Sequence, residues 1–528
     1  MKPIFIEKYQ IVSAVFSGLL LTAAFPPIGM HWVAWAALVP LLTAAVRQTV
    51  FNSFRLGVLA GLTHYVSLMY WLAFTIHTYG HLPWALSIPI MLLLAFFLSL
   101  FIGVFCAAVS TSRMRPVVMF LLIPTLWVFL EYVRSFLLSG FPWALLGYSQ
   151  SENLHLIQIS DITGVYGVSF VIAAVNGLIV MLVRRIGAED RTGKMSFSGT
   201  ALLSTATTGA LVLVLIYGDV RLDRVNGWMT AAPHKTVVAV QGNIDQNIKW
   251  DDRFQMATTR KYIDLSLSAK PENPDLIVWP ETAAPFYFLY DKDPVSRALT
   301  EMVLHGISAA GSDFLIGSPS FSYDRQQGVR YYNSAYLVQP DKSIAGKYDK
   351  VHLVPFGEYV PLRKWIPFVG KIVEHIGDFE GGEKGTTLVW QQERLGILIC
   401  YEIIFPDLSR AATKNGASLL LNITNDAWYG RTGAPYQHFS KAVFRAVENR
   451  RSLVRSANTG ISGFIDPTGR ANGKTGLYVD ATASFSVPLI HEKTFYTRFG
   501  DLFARICTAI AAGLVIINFL APGPKTRS

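Results

Sequence analysis

The sequence predicts a polytopic α-helical membrane domain of about eight spans joined to a water-soluble α/β domain. Three observations carry this reading. Of the 528 residues, 51% are apolar and 16% charged, against roughly 25% charged in a typical soluble chain. Charged residues are sparse up to about 218, plentiful to about 498, and sparse again to the end. Between about 233 and 490 the long apolar runs give way to short apolar strands, turns and polar helices. The expected division is a membrane domain over 1–218 with seven helices, an α/β domain over 219–498, and a last transmembrane helix and tail over 499–528.

A span needs about 20 mostly apolar residues. Candidates lie near 10–28, 32–46, 56–75, 84–110, 116–134, 165–183, 199–217 and 501–521. The first follows Lys2 and Lys8 and has the form of a signal peptide. No small-residue cleavage site follows it and further spans come directly after, so it is expected to be retained.

Basic residues set the orientation. Lys2, Lys8, Arg47, Arg55, Arg113, Arg115, Arg184, Arg185, Arg191, Lys194, Lys525 and Arg527 occupy the termini and alternate loops. The opposite loops near 29–31 and 76–83 carry no Lys or Arg. Both termini are therefore expected in the cytoplasm, with 219–498 on the far side, the periplasm of a bacterium. The net charge of +10 is partly this bias. Anionic headgroups suffice as its acidic neighbour, and no basic–aromatic pattern suggests nucleic acid. His77 and His81 stand four apart without carboxylates and read as boundary histidines rather than metal ligands. Glu131 and Arg134, near the end of the fifth span, are expected to be interfacial anchors.

Within the insert, "KTVVAVQGNI", "PDLIVWPET", "DFLIGSPS", "NSAYLVQP", "RLGILICYE" and "ASLLLNITND" read as strands. Several are unbroken apolar runs, as when both faces of a sheet are covered. Helices are expected over 251–269, 295–310 and 436–450, giving a layered α/β domain.

Glu281 and Cys400 end two of these strands, where α/β sheets usually carry their sites; Lys350 lies in "AGKYDKVHLVPFGEYVP". Cys106 and Cys507 fall in expected spans, which leaves Cys400 as the one cysteine of the insert. Together the three residue types make chemical sense. A thiol attacks as thiolate and needs a base or a positive field. A glutamate takes the proton, while a lysine and the Tyr401 N–H stabilise an oxyanion. Taken separately, Glu281 is equally a helix-terminal carboxylate, Lys350 a solvated surface charge and Cys400 core packing. Spacing does not decide between these, nor between Lys350 and Lys347.

"WPET", "KYDKVHLVPFGEYVP" and "CYEIIFP", in this order, resemble the signature segments of the nitrilase, or carbon–nitrogen hydrolase, superfamily. That resemblance implies an αββα sandwich with a Glu–Lys–Cys triad. With the flanking spans, "FPP", "QGNIDQNIKW", "NDAWYG" and "YTRFGD", the whole chain resembles the membrane-integrated branch, the bacterial apolipoprotein N-acyltransferases. Carried over by position, Glu281 matches the general base, Lys350 the oxyanion lysine, Cys400 the nucleophile and Glu358 a second glutamate. Trp250, Tyr401, Glu402 and Trp428 match substrate-binding or supporting positions.

The resemblance implies a two-step acyl transfer without metal or cofactor. Cys400 takes the sn-1 acyl chain of a phospholipid, phosphatidylethanolamine, as a thioester. The α-amine of a diacylglyceryl-cysteine at an apolipoprotein's N-terminus then removes it. The other expected partner is the bilayer of the inner membrane, and the expected assembly is a monomer. A thiol standing at the bilayer surface avoids exposing each acyl chain to water, at about 0.8 kcal/mol per CH₂. "APFYFLY" (284–290) and "LRKWIPFVGKIVEHIG" (362–377) mix aromatics with charge, so Phe286, Trp365 and Phe368 are candidate lid residues, with ordinary loop packing as the alternative. The rival functions are a membrane-tethered amidase, in which water resolves the thioester, and a non-enzymatic metal-handling or scaffold protein.

Overall fold

In the strand-rich part of the chain, residues alternate between two buried environments along each central strand. Val237 and Ala239 face one apolar core while Val238 and Val240 face another. The same split separates Leu276 and Val278 from Ile277. Period-two alternation with both faces apolar produces the unbroken runs seen in the sequence. The structure is a computed structural model that describes residues 6–46, 48–110, 116–186, 197–324, 328–359 and 379–520.

Among the described residues two six-stranded sheets form. The first contains β1 (His234–Gln241), β2 (Leu276–Val278), β3 (Asp313–Asp324), β4 (Gly328–Val338), β5 (Ile344–Asp349) and β12 (Ala481–Pro488), in the order β12-β1-β2-β3-β4-β5. The second contains β6 (Thr387–Trp390), β7 (Glu393–Ile399), β8 (Leu419–Thr424), β9 (Ser452–Ala457), β10 (Gly463–Ile465) and β11 (Ala471–Asn472), in the order β11-β10-β9-β8-β7-β6. Each sheet has a parallel centre, β1-β2-β3 in one and β7-β8-β9 in the other. Their inner faces share one core, in which Val278, Leu315 and Leu337 meet Ile397, Leu421 and Val454.

Helices cover the outer faces. Asp252–Ser268 and Pro294–Ala310 lie on the first sheet through Tyr262, Leu299, Val303 and Ile307. Pro406–Lys414 and Ala434–Asn449 lie on the second. The result is helix, sheet, sheet, helix, a nitrilase-like sandwich. The expected helices at 251–269, 295–310 and 436–450 form within two residues of those limits. The strands β5, β6, β9, β10, β11 and β12 were not anticipated. β5 is half solvated and reads as a mixed loop, while β9 carries Arg455 through a fully buried strand.

The chain divides into two units, one of Met1–His77, His81–Arg221 and Asp501–Ser528, the other of Thr78–Gly80 and Leu222–Gly500. Among the described residues Trp84–Ser110, Val165–Arg185 and Gly199–Ala231 are long and apolar enough to cross a membrane. The bent pair Val50–Leu68 and Trp71–Tyr79 makes up to four such spans, and Lys8–Ala23, His31–Ala45 and Leu502–Ile517 are shorter apolar helices. About eight spans were expected; three to four meet the length and composition test among the described residues.

Small residues bring these helices together. A Cβ on Gly57 would sit 2.5 Å from the Ile102 carbonyl oxygen, and one on Gly61 2.6 Å from the Ser99 side chain. Close backbone approach of this kind is how helices pack where water supplies no hydrophobic drive. Glu131 and Arg134 are not solvent-facing anchors, which corrects the interfacial reading. Both are buried. Glu131 accepts from the Leu146 N–H at 2.6 Å and from the Trp127 indole at 3.0 Å. Arg134 donates to the Ala144 carbonyl at 2.9 Å and to the Tyr65 hydroxyl. Charges removed from water need such partners, and these ones pin the loop after the helix. The side chain of His77 meets the Leu82 carbonyl at 2.7 Å and stacks on Trp84.

Candidate active site

Four segments from both sheets bring their polar side chains to one buried cluster. Beyond β2 the chain runs Trp279-Pro280-Glu281 across β3 at Gly317. Gly317 permits the crossing, because a Cβ there would lie 2.3 Å from the Pro280 carbonyl oxygen and 2.7 Å from the Thr282 nitrogen. Trp279 anchors the segment, its indole donating to the Ser266 hydroxyl at 2.8 Å.

Lys350 directly follows β5, and its N–H donates to the Asn333 carbonyl at 2.8 Å. The Lys350 ammonium donates to Glu358 Oε1 at 2.8 Å and lies 3.5 Å from Glu281 Oε1. Asn333 Nδ2 bridges the same two oxygens, at 2.8 Å to Glu281 and 3.0 Å to Glu358. Glu281 Oε2 accepts from the Asn425 N–H at 2.9 Å, and Glu358 Oε2 from the Val354 N–H at 2.9 Å. Both carboxylates are thus held by directed donors with little freedom to turn. Lys347 lies elsewhere. It is part-exposed and pairs with Asp349 at 3.1 Å, so Lys350 is the lysine that joins Glu281.

Cys400 begins a short 3₁₀ turn at the end of β7, with φ of +53°. A β-carbon-bearing residue in the left-handed region costs of order 1 kcal/mol or more, and such strain clusters at functional sites. Burial pushes the thiol well above its usual range; the Glu281 charge adds to this, and Lys350 opposes it. The resting thiol therefore keeps its proton at neutral pH, and a base must remove it before attack. Burial alone would lower the Lys350 ammonium, but Glu358 and Glu281 outweigh that and hold it above its usual range.

Glu402 holds the turn in place. Its carboxylate accepts from the N–H groups of Val351 (2.6 Å), His352 (3.0 Å) and Ile399 (2.6 Å) and from the Tyr348 hydroxyl (3.0 Å). It thereby ties the Lys350 segment to the residue before Cys400. Burial raises it to about 7 against those N–H donors and Lys350. Tyr401 is buried with its ring edge-on to Phe405. Trp428 sits in the turn Asp426–Tyr429 after β8. Trp250, about half exposed, precedes the helix that starts at Asp252.

Phe286 is 5% exposed and packs in the core between the first sheet and its helices. That burial withdraws it from the expected lid, since a ring inside a packed core cannot also face lipid. Trp365 and Phe368 lie outside the described residues.

Several residues of the site escaped sequence reading. Asn333 opens "NSAYLVQP", which reads as a strand and nothing more. Asn425 and Asp426 close "NITND", where the apolar run is the visible signal and the polar residues after it carry none of their own. Asp426 accepts from Thr424 and His438 at 3.0 Å and pairs with Arg455 at 2.8 Å, all of them fully buried. Burial works against its charge, but Arg455 and His438 hold its carboxyl well below the usual range. Lys249 is buried as well, one residue before Trp250.

Two families match the sequence, the Apolipoprotein N-acyltransferase N-terminal domain over residues 17–178 and Carbon-nitrogen hydrolase over residues 236–483. The chain is 44% identical over 516 residues to the apolipoprotein N-acyltransferase of Geobacter metallireducens, covering 97% of this chain and 96% of that one. It is 32% identical to that of Methylococcus capsulatus, over 96% and 95% of the two chains. Among solved structures, an amidase from Nesterenkonia sp. aligns at 20% identity with a TM-score of 0.37, over 49% of this chain and 92% of that one.

Proposed function

Because the chain belongs to the apolipoprotein N-acyltransferase family, we propose that Glu281, Lys350, Glu358 and Cys400 carry its reaction. That reaction is the N-acylation of lipoproteins by a bacterial membrane protein, with a phospholipid and a lipoprotein as substrates. The observation that supports the residue roles is the shared hydrogen-bonded cluster of Glu281, Lys350 and Glu358, electrostatically coupled to a strained Cys400.

In the first half-reaction Glu281 takes the Cys400 proton as the sulfur attacks the sn-1 ester of phosphatidylethanolamine. Lys350 and the Tyr401 N–H hold the developing oxyanion. Collapse breaks the ester C–O bond, and Glu281 returns the proton to the leaving oxygen of the lysophospholipid. A thioester on Cys400 remains. In the second half-reaction the α-amine of a diacylglyceryl-cysteine attacks that thioester and gives up a proton to Glu281. The C–S bond breaks, the thiol recovers its proton, and an amide-linked third chain leaves. Glu358 keeps Lys350 charged and in place throughout. Trp250, Trp428, Tyr401 and Glu402 support the substrates and the turn.

The proposed topology has eight spans, both termini in the cytoplasm, a membrane domain over 1–218 and 499–528, and the catalytic domain over 219–498 in the periplasm. The asymmetry of Lys and Arg between loops supports it. We propose that it acts as a monomer.

Intact-protein mass spectrometry after incubation with phosphatidylethanolamine tests the chemistry. A covalent acyl adduct is expected on the wild type and not on Cys400→Ala, and a diacylated lipopeptide amine should discharge it. Discharge by water at the same rate with or without the amine would replace transfer by hydrolysis.

A further inference from the structure

A second buried lysine stands beside the cluster without a part in the scheme above. Lys249 is 1% exposed, and its ammonium donates to the main-chain oxygen of Glu281 at 3.0 Å. Among the described residues this is the hydrogen bond its side chain makes. A carbonyl oxygen does not call for a cation, and taking an ammonium out of water is costly unless its charge is used. An apolar side chain of the same length would fill the space without that cost.

The charges of the cluster indicate the use. Glu281 and Glu358 both engage the single ammonium of Lys350, so with both ionised the three residues carry one negative charge in excess. Lys249 is the cation that balances it. As the proton passes from Cys400 to Glu281 and the oxyanion forms, the total charge of the site does not change. With Lys249 the reaction runs in a neutral pocket; without it, one negative charge stays uncompensated throughout, that of the second carboxylate before proton transfer and that of the oxyanion after it. Burial lowers the Lys249 ammonium to about 8, while Glu281 and Cys400, the titratable groups that act on it, pull it upward.

We infer that Lys249 is a positioning residue of the acyl-transfer site, its ammonium fixing the main chain of Glu281 and balancing the one negative charge of the cluster as that charge passes from Glu281 to the oxyanion. This rests on the roles proposed above for Glu281 and Cys400.

The test is the single-turnover rate of acyl-enzyme formation by the full chain in detergent micelles that hold phosphatidylethanolamine, measured across pH. The wild-type rate should decline as pH passes about 8, where the lysine loses its proton. Lys249→Met should slow acylation roughly tenfold or more. Lys249→Arg, whose charge persists, should restore acylation and lose the alkaline decline. Wild-type rates in Lys249→Met, no restoration by Lys249→Arg, or an unchanged alkaline decline in Lys249→Arg each overturn the inference. If Lys249→Met does not fold, the Lys249→Arg profile decides alone. An acyl adduct on Cys400→Ala would instead remove the reading beneath it.

Discussion

The Lys350 ammonium and the Glu358 carboxylate meet at 2.8 Å, both buried. Removing one member of such a pair strands the other charge, which typically costs about 3–5 kcal/mol, whereas replacing both with apolar groups costs far less. Lys350→Met strands both Glu358 and Glu281 and should lower the melting temperature sharply; Glu358→Leu leaves Lys350 paired with Glu281 and should lower it less, and the double variant should recover part of the Lys350→Met loss. All three should fail to form an acyl-enzyme. A double variant no more stable than Lys350→Met would mean that the pair is not coupled.

Gly317 sets the position of Glu281 without touching it through a side chain. An added methyl would overlap the Pro280 carbonyl oxygen, and backbone does not yield as a flexible side chain does. Gly317→Ala should destabilise the chain by about 1–3 kcal/mol and slow acylation by at least roughly tenfold, because Glu281 is pushed off its three partners. Acylation at the wild-type rate would show that the crossing at Gly317 does not fix the glutamate.

Arg455 and Asp426 form a buried pair behind the turn that carries Trp428. In Asp426→Asn the guanidinium keeps its charge without a counter-ion, so a loss of about 3–5 kcal/mol is expected. Thermal unfolding checks this; a shift under about 2 °C would show that Asn422 and the Ile461 carbonyl suffice for Arg455.

Two buried groups make opposite contributions to stability with pH. Glu402 rises from 4.5 to about 7, so the folded chain holds its proton more tightly and stability falls as pH increases through that window. Burial and the Arg455 charge lower His438 from 6.5 to about 4, so the unfolded chain binds the proton first and stability falls as pH drops through that window. Each amounts to about 3 kcal/mol. Between pH 4.5 and 6.5 they oppose one another. Melting temperatures of His438→Gln should therefore fall with rising pH relative to wild type, and those of Glu402→Gln should rise. Parallel curves for all three chains would contradict the assignment.

Much of the sandwich was legible because burial and strand period act within a few residues. "LIV" before "WPE" and "GILI" before Cys400 are apolar at every position, and both are central strands with two covered faces. The arrangement around Glu281 was not legible in the same way. Its carboxylate bonds to Asn333, 52 residues away, and to the Asn425 N–H, 144 residues away. No local pattern marks either partner. Lys347 and Lys350 were equivalent by spacing, and they differ only because β5 ends between them.

The sequence by itself determined the division into lipid-compatible helices and a layered α/β insert, and it put Glu281, Lys350, Glu358 and Cys400 under suspicion. Transfer of apolar surface out of water depends on composition and period, which any short window carries. Only the tertiary structure decided that Lys350 rather than Lys347 meets the two glutamates, that Phe286 is core, that Asn333 bridges the carboxylates and that Lys249 stands beneath Glu281. Those contacts depend on strand order and on how two sheets stack. Both are properties of the whole chain, set by segments far apart in sequence closing on one another, 32 residues for Lys249 and Glu281 and 144 for Glu281 and Asn425.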